Sequence, residues 1–210
     1  MYNLIQLESW EIEQNRFALS EDDNCFYYMN YEPNSDLNKS YEKQTIVNIK
    51  ISKEELDKNP NRLYYKEKGL REVSSWLVNT INKHRRLAEE YLWMPAYSSK
   101  AKTDKLYDDR LQKILSLVKE KIPEFNWFDA FDVKQTVESS RKSNKRNINE
   151  KFNNLTIDRC FIKHLKGKKI VIFDDVLTTG TTFQAAKAKL KEVDDSFYII
   201  GVFISKTVHK

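Results

Sequence analysis

Glycine and proline are scarce, four of each in 210 residues, and neither builds a repeat. A collagenous or low-complexity chain is therefore excluded. Cysteine is scarcer still. Cys25 and Cys160 are the whole complement; they lie far apart and make no CxxC, which excludes a cysteine-built structural zinc site within one chain and any disulfide framework. A single Cys25–Cys160 bridge is allowed by the count, but reduced, buried thiols suit a cytoplasmic protein better and are the expectation. His84, His164 and His209 show no metal-ligand spacing and read as surface or helix-end residues. No run of about 18 apolar residues occurs, so no membrane span and no membrane partner are expected. The first ten residues also lack the charged-then-apolar layout of a secretory leader. Cytoplasmic localisation is the resulting expectation.

What remains is a chain of ordinary globular character. The length suits one generous domain, or a domain with a substantial extension, and an aromatic share of 12% is enough to fill a core. The net charge is +5. That balance fits a small polyanionic substrate as well as it fits nucleic acid.

Residues 1–60 differ in character from residues 61–210. Cys25–Tyr31 and Thr45–Ile51 read as strands, the second by its alternation through Ile46, Val47, Ile49 and Ile51. Ser52-Lys53-Glu54-Glu55 resembles a capping box opening a short helical turn that Asn59-Pro60 ends. This segment reads as a β-rich extension or hood. From residue 61 the chain reads strand–helix–strand. Leu70, Val73, Leu77 and Ile81 give a helix over 65–86, Tyr91–Ala96 a buried strand, Asp108–Ile122 a second helix, and Asn126–Val133 a further strand. Lys134–Asn154 carries six cations and little apolar content, the composition of a solvated basic linker. Leu155–Phe161 resumes an extended pattern, and Phe197–Ile204 is the last strand. Such alternation predicts a doubly wound parallel sheet, with residues 61–210 as one α/β domain.

The richest stretch is Ile170–Thr182. Four apolar residues read as a strand buried on both faces. Asp174 and Asp175 end it, Thr178-Thr179-Gly180-Thr181-Thr182 forms a small hydroxylated loop, and Phe183–Glu192 reads as a helix. Backbone N–H groups at a helix N-terminus attract a phosphate, and threonine hydroxyls add donors. A carboxylate accepts two hydrogen bonds from a vicinal diol. No lysine follows the glycine, which argues against a P-loop. The pattern describes a sugar-phosphate site.

This run resembles the phosphoribosyl-pyrophosphate (PRPP) motif of type I phosphoribosyltransferases: a hydrophobic strand, two acids, an aliphatic residue, one variable position, then small hydroxylated residues around a glycine. Within that group the stretch from about 61 to 205 is most similar to the ComF family. Gln135, Arg141, Arg146-Asn147 and Phe152 resemble its run of glutamine, basic residue, Arg-Asn and phenylalanine ahead of the phosphate motif. Leu63-Tyr64-Tyr65-Lys66 and Leu165–Lys169 echo its entry to the first helix and its turn into the motif strand. Two departures stand out. No cysteine zinc module opens the chain, and the family's Arg-Gly-Phe-Asn-Gln segment is replaced by a stretch carrying Lys100, Lys102, Lys105 and Arg110.

The resemblance implies roles. Asp174 and Asp175 would accept from the ribose hydroxyls and hold Mg²⁺, which favours carboxylates plus substrate phosphate oxygens. Thr178, Thr179, Gly180, Thr181 and Thr182 would cradle the 5-phosphate, and Ser98, Ser99 and Lys100 the pyrophosphate. Arg141, Lys145 and Arg146 would serve as cations of a lid over the leaving diphosphate. Thr178 stands where some purine-salvage enzymes carry an acid, which disfavours hypoxanthine or guanine as acceptor. Tyr27, Tyr28 and Tyr31 are candidates to stack on a base, with ordinary core packing the stronger expectation. The implied ligands are PRPP or a nucleoside monophosphate with Mg²⁺, and by analogy with dimeric relatives a homodimer. Two other readings stand beside phosphoribosyl transfer: a catalytically silent PRPP or nucleotide sensor, and a nucleic-acid protein using the basic segment and residues 83–86. The last is not favoured, because no aromatics interleave those charges.

Overall fold

In the computed structural model, residues 2–33, 40–137, 148–165 and 167–208 are described. In chain order the elements are β1 (Ile5–Gln6), α1 (Ser9–Asn15), β2 (Cys25–Tyr31), α2 (Tyr41–Ile49), α3 (Lys53–Lys58), α4 (Arg62–Lys83), α5 (Arg86–Glu89), β3 (Tyr91–Pro95), α6 (Arg110–Lys121), β4 (Asn126–Trp127), β5 (Phe131–Val133), α7 (Ile148–Asn154), β6 (Leu155–Ile157), α8 (Ile162–Leu165), β7 (Lys169–Leu177), α9 (Thr181–Lys191) and β8 (Ile199–Thr207). Six strands form one sheet in the order β1-β2-β8-β7-β3-β4. Every neighbouring pair is parallel except β1 with β2. The protein is thus a mixed α/β fold with a mostly parallel central sheet flanked by helices.

The apolar run Ile170–Phe173 sits mid-sheet between β8 and β3 and is fully buried, as a run without alternation requires. Alternate residues point to opposite faces. On one face Cys25, Gly201 and Phe203 meet Phe183 of α9; a methyl group on Gly201 would come within 3.0 Å of all three neighbouring side chains. On the other face the Tyr28 hydroxyl donates to Thr80 of α4 at 3.0 Å.

Several sequence expectations meet corrections here. Thr45–Ile51 is not a strand; most of it is α2. Its β-branched residues suggest alternation, but within α2 the buried residues are Thr45, Ile46 and Ile49, a helical spacing. Ser40 caps the helix by accepting from the Lys43 N–H at 3.1 Å. Ile49 packs where Gly69 of α4 lacks a side chain, a Cβ there meeting Ile49 at 3.0 Å. Burial against α4 overrides β-propensity, which is largely a matter of fit to a pleated surface. Asn126–Val133 is divided: β4 extends the central sheet, whereas β5 pairs antiparallel with β6 in a separate ribbon. Cys25 is buried but Cys160 is exposed, and both are free thiols. Cys25–Tyr31 is a strand as expected, yet β2 pairs in parallel with β8 from Cys25 to Tyr31, so the N-terminal segment contributes to the central sheet itself. The Ser52–Glu55 capping box is present, with Glu55 N–H to Ser52 Oγ at 3.2 Å and Ser52 N–H to Glu55 Oε2 at 2.9 Å. No helix among the described residues is long and apolar enough to cross a membrane.

Candidate functional site at the switch point of the sheet

From β3 the chain proceeds to β4 on one side, and from β7 it proceeds to β8 on the other. The carboxyl ends of β3 and β7 therefore flank the switch point of the sheet, where open α/β folds leave a crevice for ligands. The loop after β7 is the predicted phosphate loop. The loop after β3 carries Tyr97, Ser98, Ser99 and Lys100.

Gly180 takes φ +77° and ψ −7° as it leads into α9. This left-handed turn aims the first N–H groups of α9 outward, where an anion would lie. A Cβ on Gly180 would meet Leu19 at 3.0 Å, so the loop rests on the N-terminal segment. The Ala18 N–H donates to the Thr179 carbonyl at 2.7 Å. Asp23 is buried and accepts from Lys187 Nζ at 2.6 Å, from Gln184 Nε2, and from the Ser20 N–H at 2.7 Å. Residues 18–23 thereby strap the loop and the first turns of α9. Within the loop, Thr179 Oγ1 and Thr181 Oγ1 share a hydrogen bond at 3.0 Å. Above it, Lys151 of α7 donates to Thr181 Oγ1 at 3.0 Å and to Thr182 Oγ1 at 2.8 Å. An ammonium thus stands over a helix N-terminus, and both attract the same kind of ligand.

The two acids part company. Asp175 is buried on the α4–α6 side, where Arg110 donates to its Oδ2 from Nε at 2.8 Å and from Nη2 at 2.5 Å. Lys50, following α2, lies 3.1 Å from Oδ1. Arg110 also binds Asp108 at 2.9 Å, and Asp108 binds the buried Lys66 at 2.9 Å. Burial alone would raise the Asp175 carboxyl, but Arg110 and Lys50 outweigh it and hold it below the ordinary carboxylate range. Asp174 is half-buried on the α9 side and borders a small hollow with Thr178, Gly180, Thr182, Phe183 and Phe203. Its Oδ1 accepts the Asp175 N–H at 2.8 Å. Burial first, and the neighbouring Asp175 charge second, push the Asp174 carboxyl upward. The pair shows opposite shifts one residue apart, a pattern that functional acids display.

Ser98, Ser99 and Lys100 follow β3 as predicted. Ser98 Oγ accepts the Lys100 N–H at 3.1 Å, and the Ser99 carbonyl accepts the Val137 N–H at 2.9 Å. The latter bond ties this loop to the start of the basic segment. That segment leaves β5 and returns through α7 to β6, its two ends joined by Lys134 N–H to the Asn154 carbonyl at 2.8 Å. Arg141, Lys145 and Arg146 lie outside the described residues. Tyr27 and Tyr28 are buried, donating to Glu11 at 3.1 Å and Thr80 at 3.0 Å, so both serve the core.

Four residues of this site escaped the sequence reading as candidates. Lys50 lies on the segment whose β-branching suggests a strand, Arg110 in the stretch that departs from the family pattern, Lys151 among many cations, and Tyr97 beside the serines. Among the described residues no group of three or more His, Cys, Asp and Glu side chains is placed to hold a metal. A magnesium ion would find Asp174 with one carboxylate oxygen turned from the Asp175 amide, and Asp175 already engaged by two cations. One carboxylate plus ligand phosphates is a set magnesium accepts. Compared with models of known protein families the chain matches none, and no curated protein matches it at a significant level. A groove of about 270 Å³ between α4 and α6, lined by Glu67, Arg71, Lys113 and Glu120 among others, includes none of the predicted site residues.

Proposed function

We propose that the protein binds PRPP with Mg²⁺ and transfers phosphoribose to or from a nitrogenous acceptor, on a type I phosphoribosyltransferase-like scaffold. The observation that carries this reading is the crevice at the switch point, where a half-buried acid, a left-handed glycine turn, a helix N-terminus and the Lys151 ammonium converge. The α9 N–H groups, the Thr178–Thr182 hydroxyls and Lys151 receive the 5-phosphate. Asp174 accepts the ribose hydroxyls and carries the metal; Asp175, with Arg110 and Lys50, fixes the end of the strand on which Asp174 stands. Ser98, Ser99 and Lys100 face the diphosphate. Cleavage at the ribose C1 places positive charge on the sugar and negative charge on the leaving diphosphate, so cations and exclusion of water are what the chain must supply. Bound Mg²⁺ would supply further positive charge at the diphosphate.

The test is calorimetric titration of PRPP into the protein with and without Mg²⁺. Binding that requires Mg²⁺ and disappears in Asp174→Asn supports the site. Undiminished binding in that variant removes it. A second reading, a silent PRPP or nucleotide sensor, is favoured by one feature: Asp175 is spent on Arg110 and Lys50, leaving a single acid for the ligand. Release of pyrophosphate on adding candidate bases separates the two, because a sensor binds PRPP without turnover.

A further inference from the structure

The Tyr97 hydroxyl is buried and has no hydrogen-bond partner among the described residues. Thr207 Oγ1, at the end of β8, is the one other side-chain atom in that condition among the described residues. Buried hydroxyls are nearly always paired, because an unpaired one gives up its hydration for nothing. Tyr97 lies two residues beyond β3, the strand that flanks the switch point on the side away from β8. Asp174 and Thr182 are its polar neighbours, and Thr182 lies close enough to ease the upward shift that burial gives the phenol without a hydrogen bond of normal geometry. A phenol keeps its proton at neutral pH, so the hydroxyl is available as a donor.

We propose, resting on the phosphoribosyl reading of this crevice, that the Tyr97 hydroxyl donates a hydrogen bond to the 5-phosphate of the bound sugar, making Tyr97 a residue that selects phosphorylated pentoses. The other groups on the Thr182 side of the crevice are donors too: the α9 amides, the threonine hydroxyls and Lys151. A phosphate oxygen is the acceptor such a set fits. The Asp174 carboxylate is an acceptor and takes the sugar's hydroxyls instead. Tyr97 would then complete the phosphate subsite from the β3 side, so the ligand bridges the two strands that part at the switch point.

Tyr97→Phe keeps the ring and removes only the unpartnered oxygen. Titration of the full chain with PRPP, ribose 5-phosphate and pyrophosphate, each with Mg²⁺, reads the effect. The expected result is a loss of about tenfold in affinity for PRPP and for ribose 5-phosphate, with pyrophosphate unchanged and the melting temperature equal to or above that of the wild type. A purely structural tyrosine would give the reverse: lower melting temperature and unaltered selectivity. Unchanged ribose 5-phosphate affinity, or an equal loss for pyrophosphate, overturns the proposal. If the wild type binds PRPP and Asp174→Asn does not, such a result sinks Tyr97 alone. If the wild type binds no PRPP, the underlying reading falls and takes this inference with it.

Discussion

Asp174 is held in the fold against its chemical preference. Its carboxyl is raised by burial and by the adjacent charge, so the native state favours its protonated form more than the unfolded chain does. The stabilising contribution of that proton is fully present below the unfolded carboxylate pKa and is lost as pH rises through the raised native value. Asp174→Asn, which mimics the protonated form, should therefore stabilise the protein at pH 8 by roughly 1 kcal/mol, or about 2–4 °C. The gain should vanish near pH 4. Thermal melts of both proteins across that range check it, and a variant less stable at pH 8 would show Asp174 to be a structural residue. Asp175 has the opposite sign. Its carboxyl is lowered, so its contribution is present above the unfolded pKa and fades as pH falls through the native value. The residue scale thus separates two neighbours of one chemical type.

At the scale of the element, the β7–loop–α9 unit depends on one backbone conformation. Gly180 has φ +77° and lies against Leu19, whereas Gly167 has φ +76° with nothing within 4 Å of its Cβ position. A left-handed non-glycine residue costs about 1–2 kcal/mol. Gly167→Ala should lose about that much in urea unfolding. Gly180→Ala should lose more, because Leu19 must also move, and on the proposed function PRPP binding should weaken with it. Equal losses would show that the N-terminal strap does not bear on the loop. Helices α3 and α4 were legible in the sequence because their signals are local: a capping box and an apolar stripe. Helix α2 was not. Its β-branched residues fit either period until the packing surface of α4 decides between them. The split between β4 and β5 was equally hidden, since a strand's choice of sheet depends on partners distant in sequence.

At the scale of the whole molecule, residues 1–60 look separable by composition but are interlocked with the rest. Strand β2 covers one edge of β8, whose nine residues are all buried. Lys50 reaches Asp175, Lys206 pairs with the buried Glu11, and Ala18 and Asp23 hold the Thr178–Thr182 loop and α9. A chain beginning at residue 61 would expose a long apolar edge, a template for aggregation. We expect that fragment to lack near-ultraviolet circular dichroism and cooperative unfolding, and to associate on size exclusion. A folded fragment of normal melting behaviour would instead establish 61–210 as an independent domain.

The sequence by itself determined the central strand, the hydroxylated loop with its helix, and the crevice they border. Each follows from contiguous residues whose apolar run, glycine and caps act locally. Only the tertiary structure decided how the two acids divide. Lys50 and Arg110, far from Asp175 along the chain, claim it on one face of the sheet and leave Asp174 to the other. It also decided that Lys151 of α7 and Tyr97, in the loop after β3, come close to Thr182. Charge pairing and burial act through space, and no spacing along the chain records which distant cation a carboxylate will meet.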